Sequence, residues 1–448
     1  MTVAKSLPHD TAPLHVTGQA RYVDDIPVPQ NCLHLAFGMS TIAHGHVREM
    51  DLEAVRAHPD VVAVLTADDL PFANDCSPSA HDEPLLCTGE VLYLDQPLFM
   101  VVARSHLAAR KAARMAQVDY EKLPALLSID EALAADSRFE EGPREYIRGD
   151  LAAGWAAAAT TVEGSIPIGG QEHFYLEGQA ALSLPQEGGD MVVHSSTQHP
   201  TEIQHKVAEA LGVPMHAVRV ETRRMGGGFG GKESQGNALA CACAVAAKKT
   251  GRACKMRYDR DDDMIITGKR HDLRIDYRVG FDDTGRLLGI EFLHLMRCGW
   301  AQDLSLPVAD RAMLHADNAY LLDHVRIESH RLKTNTCSNT AYRGFGGPQG
   351  MVGIERVVDH VAHVLGRDPL EVRRVNYYAD APAAGGDGGL SAPRGRKCRA
   401  FPPSPPEDIL GKRKDPEGIS SVSCLLPRLR MIRGSSMPRT VPTLEVSP

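Results

Sequence analysis

Met225-Gly226-Gly227-Gly228-Phe229-Gly230-Gly231-Lys232-Glu233 places five glycines in six positions. Almost every Cβ is absent there, so backbone N–H groups can approach a ligand closely. The segment follows Ala217 to Thr222, which reads as a strand. It precedes Ser234 to Lys249, which reads as a helix of mostly small residues closed by Gly251. Amides at a helix N-terminus suit an anion or an oxo ligand. Three readings of the loop stand side by side. Gly226-x-Gly228-x-x-Gly231 matches the dinucleotide fingerprint, but the acid expected about 20 residues on is missing, since Ala253 stands there. Gly226-x4-Gly231-Lys232 matches most of a phosphate loop, but Glu233 replaces the required Ser or Thr and would oppose phosphates. The third reading is a glycine turn packing a helix onto a sheet.

A second loop, Ala341-Tyr342-Arg343-Gly344-Phe345-Gly346-Gly347-Pro348-Gln349, also precedes a helix and repeats Phe-Gly-Gly. Two such loops over a hundred residues apart suggest one flat or anionic ligand gripped from two sides. A nucleotide needs only one.

Outward from the loops, the chain divides in three. Residues 15–135 alternate strands and helices: strands at Leu33–Ser40, Val61–Leu65 and Leu98–Ala103, a short helix at Met50–Ala57, a helix capped by Ser105, and a capping box at Ser128-Ile129-Asp130-Glu131. Residues 140–297 are richer in strands, with a helix opened by His199-Pro200 and closed by Gly212. Leu273, Ile275, Tyr277 and Val279 alternate as a strand that turns at Asp282-Asp283-Thr284-Gly285 into Leu287–Leu295. Val325–Ser329 is a strand, Gln349–Leu365 a helix, and Asp368-Pro369-Leu370-Glu371 opens another. Mixed strands and helices predict an α+β fold. After residue 380 periodicity stops: Ser391–Pro448 holds ten prolines in 58 residues and reads as a disordered tail.

The 448 residues are 43 % hydrophobic and 24 % charged, as in an ordinary soluble protein. The net charge of −8 divides into −14 before residue 391 and +6 after it. An acidic body argues against a nucleic-acid partner. No apolar run approaches the ~18 residues of a membrane span. No secretory signal is visible at the start, so the expected compartment is the cytoplasm. The ten cysteines include no C-x-x-C pair and read as reduced core residues rather than zinc or iron–sulfur ligands. His44-x-His46 lacks a third ligand nearby and reads as exposed or capping, and Asp259–Asp263 as an ion-paired loop.

Several segments together carry a resemblance. They are Gly18–Asp25 (GQARYVDD), Gln96-Pro97, Gly170–Glu177 (GQEHFYLE), the 225–233 loop, Asp259–Arg270 (DRDDDMIITGKR), Cys298–Leu306 with Arg311, and Ser338–Gln349. Nearly without gaps from Val3 to Asp380, the chain resembles the molybdopterin-binding subunit of the xanthine dehydrogenase branch of molybdenum hydroxylases. The resemblance implies an α/β-hammerhead domain over 1–138, the first part of a molybdopterin-binding domain over 139–380, and a tail over 381–448 that matches nothing. It implies a molybdenum–molybdopterin cofactor with a sulfido ligand. Gln171 would hydrogen-bond a molybdenum oxo ligand, Phe229 and Gly230 would set their backbone beside the metal, and Arg343 would hold the pterin side. Gln171, Phe229 and Arg343 would thus lie near molybdenum without being side-chain ligands.

Glu233 and Arg311 would bind and polarise a purine, acting as the catalytic pair, and Phe345 would stack on its ring. The chemistry suits those residue types. Hydroxylating a purine carbon pushes negative charge onto ring nitrogens and exocyclic oxygens, which an Arg stabilises. A Glu can share a proton with the ring, and a Phe gives it a face. The implied reaction converts hypoxanthine and xanthine to urate. Electrons would leave to an Fe–S/FAD partner subunit and then NAD, in a hetero-oligomer. Aldehyde oxidases are similar but usually lack the Glu/Arg pair, so an aldehyde or N-heterocycle hydroxylase is the alternative within the family. The family's subunit continues well beyond this length, into a second set of cofactor-gripping segments and a Gly-Glu-Pro general base. The chain is therefore expected to be truncated and inactive alone, its tail the product of a shifted reading frame. A fragment that only binds its partner subunit is a further alternative.

Overall fold

The computed structural model describes residues 5–140 and 142–378, and the tail expected to be disordered lies outside them. In chain order the elements are α1 (Ala12–Val16), β1 (Leu33–Met39), β2 (Gly45–Asp51), α2 (Glu53–Arg56), β3 (Val61–Leu65), β4 (Glu90–Val91), β5 (Pro97–Ala103), α3 (His106–Ala113), β6 (Gln117–Lys122), α4 (Ile129–Ala134), β7 (Arg144–Arg148), α5 (Leu151–Ala157) and β8 (Thr160–Ile168). There follow β9 (Ala180–Pro185), β10 (Met191–Ser195), α6 (Pro200–Leu211), β11 (Val218–Glu221), α7 (Asn237–Thr250), β12 (Cys254–Arg257), α8 (Arg260–Ile266), β13 (Leu273–Phe281), β14 (Leu287–Gly299), α9 (Ser305–Leu314), β15 (Val325–Lys333), α10 (Gly347–Leu365) and α11 (Pro369–Asn376).

Local chemistry sets most boundaries. Ser128 Oγ accepts from Glu131 N at 3.2 Å and the Glu131 carboxylate returns to Ser128 N at 3.0 Å, so the predicted capping box opens α4. Ser105 Oγ caps α3, Asp368 caps α11, and left-handed Gly212 and Gly251 end α6 and α7. Three expectations need correction. The helix expected over 50–57 is a single turn, because Met50 and Asp51 continue β2, whose Met50 packs on the core around Val55 and Leu98. Asp259–Asp263 makes its expected ion pairs, Arg110 bridging Asp259 and Asp262, but it winds into α8 rather than staying a loop. Three aspartates in that first turn complement the helix dipole. Finally, α7 begins at Asn237 rather than Ser234.

Three sheets organise the molecule. A seven-stranded sheet has the order β11-β10-β9-β12-β1-β5-β3, a five-stranded one β7-β15-β14-β13-β8, and a three-stranded one β4-β2-β6. The first crosses the expected domain boundary. Short parallel pairing of Leu33 with Cys254 and His34 with Lys255 joins β1 to β12. The largest core follows it, placing Leu33, Leu35 and Met100 in one cluster with Val193, Ile203 and the small-residue face of α7. Ala240 to Ala247 are all buried, and small side chains let α7 lie close to the sheet. A second core packs α9 and α10 on the five-stranded sheet. The eight cysteines among the described residues are unpaired thiols, seven buried and Cys337 half-buried. His44 Nδ1 meets the Pro124 carbonyl at 2.5 Å and serves as a local tie. No helix among the described residues is long and apolar enough to cross a membrane.

His294 on β14 is fully buried and neither ring nitrogen has a partner. Burial, with Arg331 nearby, pushes its imidazole down to about 3. An unfolded histidine titrates near 6.5, at about neutral pH. Between those values the unfolded chain takes up a proton that the folded chain refuses. Stability is therefore full above about pH 6.5 and falls as pH drops towards 3. His294→Leu is expected to raise the melting temperature by a few degrees at pH 7, since two unsatisfied ring nitrogens are removed. It should also flatten the acid limb. Melting curves from pH 4 to 8 that keep the parent's slope would refute this.

Candidate active site

The two glycine loops are sewn to each other and to the 171–179 segment. Glu177 Oε2 accepts from Gly226 N at 2.8 Å and from Lys232 Nζ at 3.1 Å, while Lys232 Nζ also donates to the Glu177 carbonyl at 2.7 Å. Lys232 is fully buried and sits 4.6 Å over the Tyr175 ring. Gln198 Oε1 accepts from Gly230 N at 2.8 Å and Lys232 N at 3.3 Å. Across the gap, Arg343 N donates to the Phe229 carbonyl at 2.8 Å, and His173 Nε2 meets the Ala341 carbonyl at 2.8 Å. At Gly230, φ is +100° and a Cβ would lie 2.4 Å from the Ala341 carbonyl oxygen, so only glycine permits this approach.

Arg270 completes the seam. It is 7 % exposed and stacks 3.9 Å over Tyr342. Its Nε donates to Gln171 Oε1 at 2.7 Å, Nη2 to the Arg343 carbonyl at 2.9 Å, and Nη1 to Gln349 Oε1 at 3.4 Å. The Gln171 side-chain carbonyl is thus occupied, which leaves the N–H₂ of this exposed residue as its remaining group, a donor. Sequence reading placed Arg270 in a matching segment but gave it no role. His173, Glu177, Gln198 and Lys232 were missed likewise, because a hydrogen bond to a loop carbonyl leaves no mark on spacing.

The expected site residues group as follows. Gln171, Phe229, Gly230 and Arg343 form one hydrogen-bonded cluster, with the Phe229 ring half exposed and the Arg343 side chain exposed. Phe345 lies two residues further on, half-buried against the second core. Glu233 is half-buried, and burial together with Glu202 pushes its carboxyl up, against the opposing pull of His199. Arg311 is exposed on α9 beside Gly347. Their elements converge: Asp303, just before α9, accepts from Ser234 Oγ at 2.5 Å and Gln235 Nε2 at 3.1 Å. Burial lifts the Asp303 carboxyl to about 7. Loop two lies directly on α9, since a Cβ on Gly346 would meet the Val308 carbonyl oxygen at 2.0 Å. Among the described residues no ion pair joins Glu233 to Arg311.

One expectation fails in detail. The first loop does not form a helix N-terminus, because α7 starts six residues after Gly231. Five of its amides, from Gly226, Gly230, Gly231, Lys232 and Glu233, donate inside the protein. Among the described residues the amides of Met225, Gly227, Gly228 and Phe229 have no protein acceptor. Buried Lys232 is held by Glu177, which removes the phosphate-loop reading. Groups left for a ligand include four backbone N–H groups, the Gln171 amide and the Arg343 guanidinium. All are donors, and such a set fits an anionic, oxygen-rich group.

A family model for the molybdopterin cofactor-binding domain matches residues 137–377, and one for the aldehyde oxidase and xanthine dehydrogenase a/b hammerhead domain matches residues 17–124. The chain belongs to the aldehyde oxidase and xanthine dehydrogenase family. Within this family it is 40 % identical over 372 residues to xanthine dehydrogenase of Drosophila subobscura, covering 83 % of this chain and 28 % of that protein. It is 41 % identical over 379 residues to xanthine dehydrogenase/oxidase of Rattus norvegicus, covering 84 % and 28 %. The chain therefore spans about 28 % of the length of these curated relatives. Among solved structures, aldehyde oxidoreductase from Desulfovibrio gigas superposes with a TM-score of 0.76 at 28 % identity, over 83 % of this chain and 43 % of that one. Quinoline 2-oxidoreductase from Pseudomonas putida 86 gives 0.76 at 26 %, over 84 % and 50 %. The expected α+β fold, hammerhead followed by molybdopterin-binding domain, is the one found.

Gly230→Ala tests the seam. Gly251 also has positive φ, but a Cβ there meets nothing within 4 Å. Gly251→Ala should cost only the backbone strain, about 1 kcal/mol. Gly230→Ala should cost clearly more, about 3 kcal/mol, because loop two must move as well. Denaturant titrations giving equal losses would show that the loops are not in obligatory contact.

Proposed function

We propose that this chain contributes one face of the active site of a xanthine dehydrogenase, oxidising hypoxanthine and xanthine to urate. The observation that supports the reading is the donor cluster of Gln171, Phe229 and Arg343, together with the tie through Asp303 between the start of α9, which carries Arg311, and Ser234 and Gln235, which follow Glu233. Relatives bearing that name, about 40 % identical, support it. When bound, a molybdenum–molybdopterin group with a sulfido ligand supplies the two-electron oxidation and the oxygen transfer. Gln171 would donate its amide N–H to an oxygen of that group, and Arg343 with the 227–229 amides would hold its anionic side. Phe345 would carry the purine face. Glu233, whose burial favours the protonated form, would share a proton with a ring nitrogen. Arg311 would stabilise the negative charge that grows on the purine oxygen. Electrons would pass to Fe–S and FAD centres on a partner subunit and then to NAD, within a cytoplasmic hetero-oligomer.

The second reading is an aldehyde or N-heterocycle hydroxylase, favoured by the likeness to the aldehyde and quinoline oxidoreductases. Glu233 and Arg311 separate the two. In the assembled enzyme containing this chain, Glu233→Ala should lower kcat/KM for xanthine by about 10²-fold or more with molybdenum content unchanged. Arg311→Met should lower purine turnover similarly and spare aromatic aldehydes. Unchanged purine kinetics in both variants would remove the pair from the site. Parallel loss of molybdenum would make Glu233 structural, and an unmodified enzyme preferring aldehydes would favour the second reading.

A further inference from the structure

Beneath the Glu233 segment is a small space, lined by both polar and apolar side chains, that none of the roles above uses. A cavity of about 50 Å³ lies between the 83–93 segment, the start of α7 and Trp300, with Glu83, Tyr93, Asn237 and Tyr258 in its wall. Asn237 is 1 % exposed. Its Nδ2 donates to the Cys76 carbonyl at 3.0 Å and to Glu202 Oε1 at 2.8 Å, which fixes the amide's orientation. Its Oδ1 is then buried with no donor. The carboxyl of half-buried Glu83 and the hydroxyls of buried Tyr93 and Tyr258 have no hydrogen-bond partner among the described residues. Burial, and negative neighbours in each case, push all three upward. The Glu83 backbone is held in place, its N–H on Ser77 Oγ at 2.8 Å and its carbonyl accepting from Cys76 N at 2.8 Å.

Charge around the cavity is mostly negative. Asp75, Asp82, Glu202 and Asp303 all face Glu83. The ammonium of Lys206 is taken up by Asp75 at 3.1 Å and Glu209 at 2.9 Å. A carboxylate so placed is costly unless something positive joins it. One carboxylate, one amide oxygen and two phenol oxygens form a hard, all-oxygen set with one formal charge, which suits a singly charged ion better than a divalent one. Trp300 stacks on Tyr93 with centroids 5.2 Å apart, adding aromatic surface that favours a cation. The volume admits a bare ion with a water or two.

We propose that this cavity is a monovalent-cation site for an ion of potassium or ammonium size, with oxygens from Glu83, Tyr93, Asn237 and Tyr258. The ion would tie the start of α7 to the 76–93 segment, behind the residues that follow Glu233. A protonated Glu83 sharing the cavity with water is the competing occupant. Melting curves of the full chain in potassium, ammonium and choline chloride at equal ionic strength distinguish the two, since choline is too large to enter. The midpoint should be higher by about 3 °C or more in potassium or ammonium, saturably with concentration. Glu83→Gln should abolish the difference. Because that variant could fail to fold, thallium(I) offers a second measure on otherwise native protein. With Trp155→Phe leaving Trp300 as the single indole, thallium should quench its fluorescence saturably and potassium should reverse the quenching. Identical melting in all three salts with unsaturable quenching would overturn the site and leave Glu83 protonated. Ion-specific stabilisation that survives in Glu83→Gln would also overturn it, by placing the ion elsewhere.

Discussion

Arg270 donates from Nε, Nη1 and Nη2 to three different segments, and its flat face rests on Tyr342. A nearly buried guanidinium is tolerable only when its donors are met. Here the acceptors are Gln171, the backbone of Arg343 and Gln349, which lie on the 170s segment, on loop two and on the first turn of α10. The groups expected to face the cofactor are thus set by a residue that does not itself point at it. Moving any one segment leaves a buried charge short of a partner. This gives the cluster its rigidity.

The same logic explains how glycines and charges divide the work. The glycines of the first loop do not chiefly bare amides. Gly230 lets backbone meet backbone against Ala341, and Gly346 of the second loop does the same against α9. Charged side chains then lock the approach: Lys232 with Glu177 on one side, Asp303 with Ser234 and Gln235 on the other. The result is a surface that carries free donors from the first loop, Gln171 and Arg343.

Local signals were easy to read from the sequence. Ser128 with Glu131, Gly212, Gly251 and Asp368 act within a turn of their own residues, and each sits where such chemistry puts it. The alternating run from Leu273 to Val279 is a strand for the same reason. What could not be read were long-range effects. Met50 and Asp51 satisfy a helical pattern but are claimed by pairing with Gln117 and Val118 on β6. The late start of α7 reflects Ser234 and Gln235 turning to Asp303, a residue 68 positions or more away. The site residues were legible only through the company of several motifs. Taken singly, Arg311 is an exposed arginine on a helix, and the charge relation between Glu233 and Glu202 depends on two elements meeting in space.

The pairing of β1 with β12 bears on how divisible the chain is. Only Leu33 and His34 form that ladder, yet they stitch the front of the chain into a sheet whose other members come after residue 180. Leu33, Leu35 and Met100 are covered by side chains from the far side of that stitch. A fragment ending near residue 138 would present a raw strand edge flanked by bare leucine and methionine, a template for aggregation. The hammerhead thus shares its sheet and its core with residues that follow it, and recombining it between relatives would require carrying the complementary face of α7 along with it.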